Sequence, residues 1–207
     1  MPVSNEKKEF GADELVGDTT KAFISFEVLE PGLWTSLQDS GRSTGLAYGL
    51  PRSGAADSDA YQAALQAVAG QQSGVVIETT LKGPVLRCHN EAVIVLTGAD
   101  FQVRCERPVS TRGTLKETQR DSSLTQSMSW KLPLHTLIRL QAGDVLRWGM
   151  SHEGCRGYMA VRAADFAGQK YWGSVSSLPG QGALKTGDIL RWKGLNQSED
   201  TLQNVKS

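Results

Sequence analysis

The chain has 207 residues, 39% of them hydrophobic, enough to bury one substantial core or a core with a small attached lobe. Lysine plus arginine and aspartate plus glutamate balance at 22 each, so there is no basic field for a nucleic-acid backbone and no acidic tail; small molecules and proteins are the expected partners. The three cysteines, Cys88, Cys105 and Cys155, are odd in number and widely spaced, and no apolar run approaches the roughly 20 residues of a membrane span. The chain therefore reads as a cytoplasmic protein.

The first 22 residues, "MPVSNEKKEFGADELVGDTTKA", are polar and lack the apolar core of a secretory signal. They read as an extension that cannot offset its own ordering entropy, as do residues 193–207, "KGLNQSEDTLQNVKS". Between them, residues 23–192 carry short β-branched or alternating runs: "FISFEVLE", "GVVIETTL", "EAVIVLTG", "DFQVRC", "HTLIRL", "DVLRWGM", "RGYMAVRA" and "DILRW". That spacing predicts a mainly antiparallel β-sandwich or barrel. One helix is predicted over 58–69, capped by Asp57 or Ser58, with Tyr61, Leu65 and Val68 on one face and Gly70 as its stop. Residues 107–135 are polar and aperiodic, the pattern of a long surface excursion.

"LQAGDVLRWG" at 140–149 and "LKTGDILRWKG" at 184–194 share L-x-x-G-D-[VI]-L-R-W. A glycine that can take positive φ, an aspartate that can bond the turn amides, and an alternating strand make each a turn-then-strand unit that builds the sheet.

No phosphate loop, dinucleotide fingerprint, zinc-protease or nucleophile-elbow pattern occurs, and His89, His135 and His152 stand without partners at ligand spacing, so no metal site is expected. The chemistry-bearing stretch is "WTSLQDSGRSTGLAYGLPRSGAADSDA" at 34–60, where charged and amide side chains alternate with glycines.

Its motifs carry a resemblance. In order, "PGLWTSLQDSGR" (31–42), "GLPRSGAAD" (49–57), "ETTLKGP" (78–84), "LTGADF" (96–101), "GDVL" (143–146), "GCRGYMAV" (154–161) and "YWGSVSS" (171–177) resemble the carboxyltransferase subdomain 2 family. That family, also called allophanate hydrolase subunit 2, includes KipA-like proteins, one component of the bacterial 5-oxoprolinase and part of the urea amidolyase carboxyltransferase domain. The resemblance implies a cyclophilin-like β-barrel with one or two short helices, and a subunit-1-type protein partner. It also implies a hydrolase or carboxyltransferase subunit acting on a small amide or lactam, urea-like or 5-oxoproline-like, without activity of its own. ATP or carboxybiotin would come through partner subunits, with no cofactor held by this chain.

The residues matching family motifs are Gln38, Asp39, Arg42, Ser53, Gly54, Asp57, Glu78 and Arg156. Asp39, Arg42 and Asp57 are the catalytic candidates and Gln38, Ser53, Gly54, Glu78 and Arg156 the substrate-binding ones, since carboxylates can accept from a urea-type N–H and arginines can hold a carboxylate bidentately. A second reading stays open at the same positions: Asp39 with Arg42 as an ion pair locking a turn, and Asp57 as a helix cap.

The chain departs from the family pattern at "GAAD" (54–57), Leu65, Val68-Ala69-Gly70, Ala163-Ala164 and Val175, and it stops where complete members continue into a second lobe. Those departures keep a second function open, a non-catalytic binding or regulatory module of the KipA type.

Overall fold

The computed structural model describes residues 9–10, 23–69, 73–109, 127–176 and 182–195. The strands are β1 (Glu9–Phe10), β2 (Phe23–Glu30), β3 (Trp34–Gln38), β4 (Val76–Thr80), β5 (Val85–Cys88), β6 (Ala92–Gly98), β7 (Arg104–Pro108), β8 (Ser127–Lys131), β9 (Ile138–Leu140), β10 (Val145–Arg147), β11 (Arg156–Val161), β12 (Asp165–Phe166) and β13 (Ile189–Lys193). Helix α1 covers Ser58–Ala69, and Leu46–Tyr48 forms one turn of 3-10 helix. The Gly70 stop, the 110–126 part of the polar excursion and most of the two terminal segments lie outside the described residues.

The mainly β architecture is as expected, but the strands form two separate sheets rather than one closed barrel. The larger sheet runs β1-β13-β2-β5-β10-β7-β8, with β12 also on β13, and the smaller runs β3-β4-β11-β6-β9. Pairing is antiparallel except between β1 and β13. The period-2 pattern explains why the sheets stack: Phe26, Val28, Leu86, Cys88, Cys105, Leu146, Leu190 and Trp192 from the larger sheet face Leu37, Ile77, Ile94, Leu96, Met159 and Val161 from the smaller, in one buried cluster. Each large side chain so buried contributes about 1.5–3 kcal/mol.

The alternate residues of the smaller sheet point the other way. Val76, Val95, Tyr158 and Ala160 meet Tyr61, Ala64, Leu65 and Val68 of α1 in a second buried cluster. The predicted helix face is the observed one. Among the described residues no helix is long and apolar enough to cross a membrane.

The two repeated units are structural equivalents. Gly143 N donates to Cys88 O and Cys88 N to Asp144 O, at 2.7 and 2.8 Å; Gly187 N donates to Val28 O and Val28 N to Asp188 O, at 2.7 and 2.9 Å. In each turn the aspartate also accepts from a backbone amide, Gln141 N to Asp144 and Lys185 N to Asp188. β10 is thereby sewn to β5 and β13 to β2, neighbouring strands of one sheet.

Asp144 is fully buried and takes a bidentate pair from Arg107 on β7, both bonds 2.7 Å. Burial alone would raise its pKa, yet the Arg107 bonds and the Gln141 amide outweigh that and hold the carboxyl below its ordinary value. Removing the guanidinium strands a buried charge, so Arg107→Ala should cost about 3 kcal/mol in urea unfolding at neutral pH. Because the folded-state pKa is depressed, the pair's contribution is present above the unfolded carboxyl value of about 3.9 and fades as pH falls through the lower folded value. The penalty should therefore narrow in unfolding curves taken progressively below about pH 3.9; a pH-independent penalty would mean Asp144 is not the group it leaves exposed to protonation.

Candidate functional site

Register alone gathers three of the candidates. On the helix-bearing face of the smaller sheet, Trp34, Thr80 and Arg156 are cross-strand neighbours, then Ser36, Glu78 and Tyr158, then Gln38, Val76 and Ala160. Helix α1 covers the β11 and β6 side of this face. The connection from β3 to α1 crosses β4, where Ala56 N donates to Glu78 Oε2 at 2.8 Å.

Glu78 is 3% exposed and has every bond a buried carboxylate needs. Oε2 accepts from Tyr158 Oη (2.9 Å) as well as Ala56 N, and Oε1 accepts from Arg156 Nη1 (3.0 Å). Arg156 Nη1 also donates to Thr80 Oγ1 at 2.6 Å. Tyr158 Oη in turn accepts from Asp57 N at 2.8 Å. Burial, reinforced by the Glu78 charge, drives the Tyr158 pKa far above that of an ordinary phenol, so the hydroxyl stays a donor.

Beside this network lies an open cleft of about 550 Å³. One wall is Ala56–Ser58 at the start of α1, another Gly154–Arg156, and Gly98 and Ala99 complete the lining. Gly98 has φ 82° and a Cβ there would sit 2.4 Å from Arg156 O, so only glycine lets β6 turn away this close to the Arg156 backbone. Arg156 is one-third exposed, and among the described residues its Nε and Nη2 have no hydrogen-bond partner.

Asp57 does what a cap does: its Oδ1 accepts from Asp59 N (3.1 Å) and Ala60 N (3.0 Å). It also lines the cleft. Gln38 is buried, with Nε2 bonded to Ser36 Oγ and Oε1 lacking a partner among the described residues.

Asp39 and Arg42 lie elsewhere, and they do not pair with each other. Asp39 accepts from Gly41 N, Ser174 Oγ, Val175 N and Ser176 Oγ at 2.7–3.0 Å. Arg42, 2% exposed, donates to Pro51 O, Ser53 Oγ and Ser176 O at 2.8, 3.1 and 2.6 Å, while its buried Nε has no partner among the described residues. Together they clasp residues 174–176 against the 40–53 loop. Gly54, at φ 98°, lies where the loop crosses itself, and a Cβ there would be 2.9 Å from Gly41 N. The stretch that looked like a ligand grip thus holds its own chain at these positions.

Sequence reading passed over Tyr158, Thr80, Ser174 and Ser176. Tyr158 was within reach, because period-2 alternation from Arg156 along β11 puts it on the same face. The serines could not be paired with Asp39 without the tertiary fold. Three departures from the family pattern fall at packed positions: Leu65 and Ala163 are buried, and the half-buried Val175 packs against the main core. Among the described residues no group of three or more His, Cys, Asp or Glu could hold a metal ion.

A fold of two stacked sheets with one helix over a cleft defines the class, and comparison with known proteins agrees. Residues 48–206 match the family model described as the carboxyltransferase domain, subdomain A and B. The chain is 29% identical over 182 residues to a urea amidolyase of Lachancea kluyveri and 29% identical over 202 residues to a putative urea carboxylase of Emericella nidulans. Those matches span 84% and 88% of this chain but 9% and 14% of the relatives. Among solved structures it is similar to the K. lactis urea amidolyase, with TM-score 0.63 and 32% identity over 84% of this chain and 10% of that one. It is also similar to TTHA0988, with TM-score 0.68 and 25% identity over 94% of this chain and 34% of that one. The chain belongs to the carboxyltransferase-domain family.

Arg42→Ala should cost about 1–3 kcal/mol of stability, because it leaves the carbonyl of the buried Ser176 without its donor. Chemical denaturation reads this directly. A loss below about 1 kcal/mol, the range of exposed charges, would show that the clasp is not built as described.

Proposed function

We propose that the chain is one part of a carboxyltransferase acting on a urea-like or lactam amide, with the Arg156 cleft as its share of the substrate site. The observation that carries this reading is a one-third-exposed guanidinium that lines an open cleft, held through Nη1 by a buried carboxylate, in a carboxyltransferase-family domain. Arginine in that posture suits a carboxylate or the oxygen of an amide that becomes negative during transfer. The start of α1, in another wall, adds the positive end of the helix dipole. These donors fit one carboxylate group.

A carboxylated carrier such as carboxybiotin would bring the carboxyl group, and it would arrive, like any ATP-dependent step, through a subunit-1-type partner. The carrier's N–C bond would break as the acceptor's N–C bond forms, and the proton given up by the acceptor nitrogen would end on the released carrier nitrogen. Glu78 is already bonded at both oxygens, so it supports Arg156 in this scheme, and Asp57 is the exposed carboxylate closest to hand for an acceptor N–H.

A second reading, a regulatory binding module, is favoured by Asp39 and Arg42, whose bonds are spent on residues 174–176 and the 40–53 loop. One assay separates the two. The full chain, combined with a subunit-1-type partner and labelled carboxybiotin, should pass label to urea. Arg156→Gln should cut that transfer about tenfold or more, since a charge-assisted hydrogen bond is worth about 1.5–3 kcal/mol. Partner binding without any transfer would support the regulatory module and sink the enzymatic reading.

A further inference from the structure

We infer that Glu78 and Tyr158 are positioning residues that set the cleft, although neither of them lines it. The inference rests on the proposed use of the cleft, but its test needs no turnover.

Both walls hang on the same two buried side chains. Glu78 Oε1 holds Arg156 through Nη1, and Glu78 Oε2 holds Ala56 through its amide. Tyr158 Oη bridges the remaining gap, donating to Glu78 Oε2 and accepting from Asp57 N. Ala56, Asp57 and Arg156 are cleft-lining residues, whereas Glu78 and Tyr158 are 3% and 0% exposed. One carboxylate and one phenol therefore fix the spacing between the guanidinium and the start of α1. Thr80 assists on one side by accepting from Nη1, and Thr97 on the other, where its Oγ1 donates to Ala60 O in the first turn of the helix.

The arrangement also fixes which donors of Arg156 remain uncommitted. With Nη1 committed to Glu78 and Thr80, Nε and Nη2 are the donors left for a ligand. Replacing the phenol by phenyl leaves Asp57 N without its acceptor and Glu78 Oε2 one donor short. The wall at 56–58 then loosens and Glu78 is free to turn from Arg156. Neutralising Glu78 removes the charge that holds the guanidinium.

Cys155 supplies a built-in reporter. It is exposed and lines the same cleft, next to Arg156. Cys88 and Cys105 are buried, and burial pushes their thiols up to about 11 and about 12, so they stay protonated and shielded. The measurement compares labelling rates of Cys155 in the full chain by two aryl disulfides, the dicarboxylate dithiobis-nitrobenzoate and the neutral dithiodipyridine. The ratio of the two rates reads the field of Arg156 in the cleft and cancels general changes in thiol access.

Arg156→Gln should lower the anionic-to-neutral ratio about fivefold, the worth of one unit charge about 4 Å away in water. Tyr158→Phe, which changes no charge, should lower it to a similar extent with Arg156 still present, and added salt should shrink the wild-type preference. Glu78→Gln removes a negative charge, which with Arg156 held in place would raise the ratio, so a ratio no higher than wild type is expected from a displaced guanidinium. If Arg156→Gln lowers the ratio but Tyr158→Phe keeps the wild-type value and Glu78→Gln raises it, the positioning inference is overturned while the proposed use of the cleft stands. If Arg156→Gln itself leaves the ratio unchanged, the guanidinium does not command the cleft and the inference falls with it. A lowered ratio in Arg156→Gln and Tyr158→Phe with no rise in Glu78→Gln, alongside failure of carboxyl transfer in the partner assay, would keep the positioning role and discard the proposed function. Glu78→Gln retains a side chain of the same shape, so the test survives a Tyr158→Phe variant that folds poorly.

Discussion

A carboxylate with almost no access to water sets the terms for the helix-bearing face of this molecule. Left unpaired, a charge in that position would cost several kcal/mol. Glu78 avoids the penalty only by drawing in three donors from two stretches distant in sequence, the amide of Ala56 from one and the phenol of Tyr158 and the guanidinium of Arg156 from the other. Satisfying it therefore brings together the end of the β3–α1 connection, the middle of β11 and the start of β11. The cleft forms where those pieces meet. The apolar contacts of Tyr61, Leu65 and Val68 hold α1 on the sheet but would tolerate sliding; the hydrogen-bonded carboxylate specifies the register of its first turn.

The second polar cluster works by the same rule with the charges kept apart. Asp39 and Arg42 are three residues from one another and both reach Ser176, one through its hydroxyl and the other through its carbonyl. Neither has the other as a counter-ion within ion-pair distance. Each is instead solvated by the protein, Asp39 by two hydroxyls and two amides, Arg42 by two carbonyls and a hydroxyl. Such a clasp joins the loops at 40–53 and 174–176 into one rigid corner. On its exposed side Tyr48 and Trp172 bring their rings to 5.7 Å. Val175, one of the departures from the family pattern, is half-buried there and packs against the main core.

Much of the fold was legible because it follows from periodicity. Alternation marked the strands from "FISFEVLE" onward, and the i, i+4 spacing of Tyr61 and Leu65 with Val68 marked both α1 and its buried face. Asp57 as a cap needed only local chemistry. Sheet closure was not legible: whether strands join edge to edge or stack as two sheets depends on twist and on long-range pairing that no short window carries. In the site, Gln38, Glu78 and Arg156 were marked and do share a face, since strand parity is a sequence property. Apart from the local Gly41 amide, the partners of Asp39 lie more than a hundred residues away, and only the tertiary structure brings Ser174, Val175 and Ser176 to it.

Glu78 thus fixes the chain where the β3–α1 connection enters the helix. Residue-resolved amide hydrogen exchange tests this most directly, at Ala56 and Asp57, whose side chains are exposed but whose amides donate to Glu78 and Tyr158. These two amides should exchange as slowly as those of the central strands in the native chain, and speed up selectively when Glu78 is replaced by glutamine. Exchange at the rate of an open loop in the native chain would contradict the role given to Glu78.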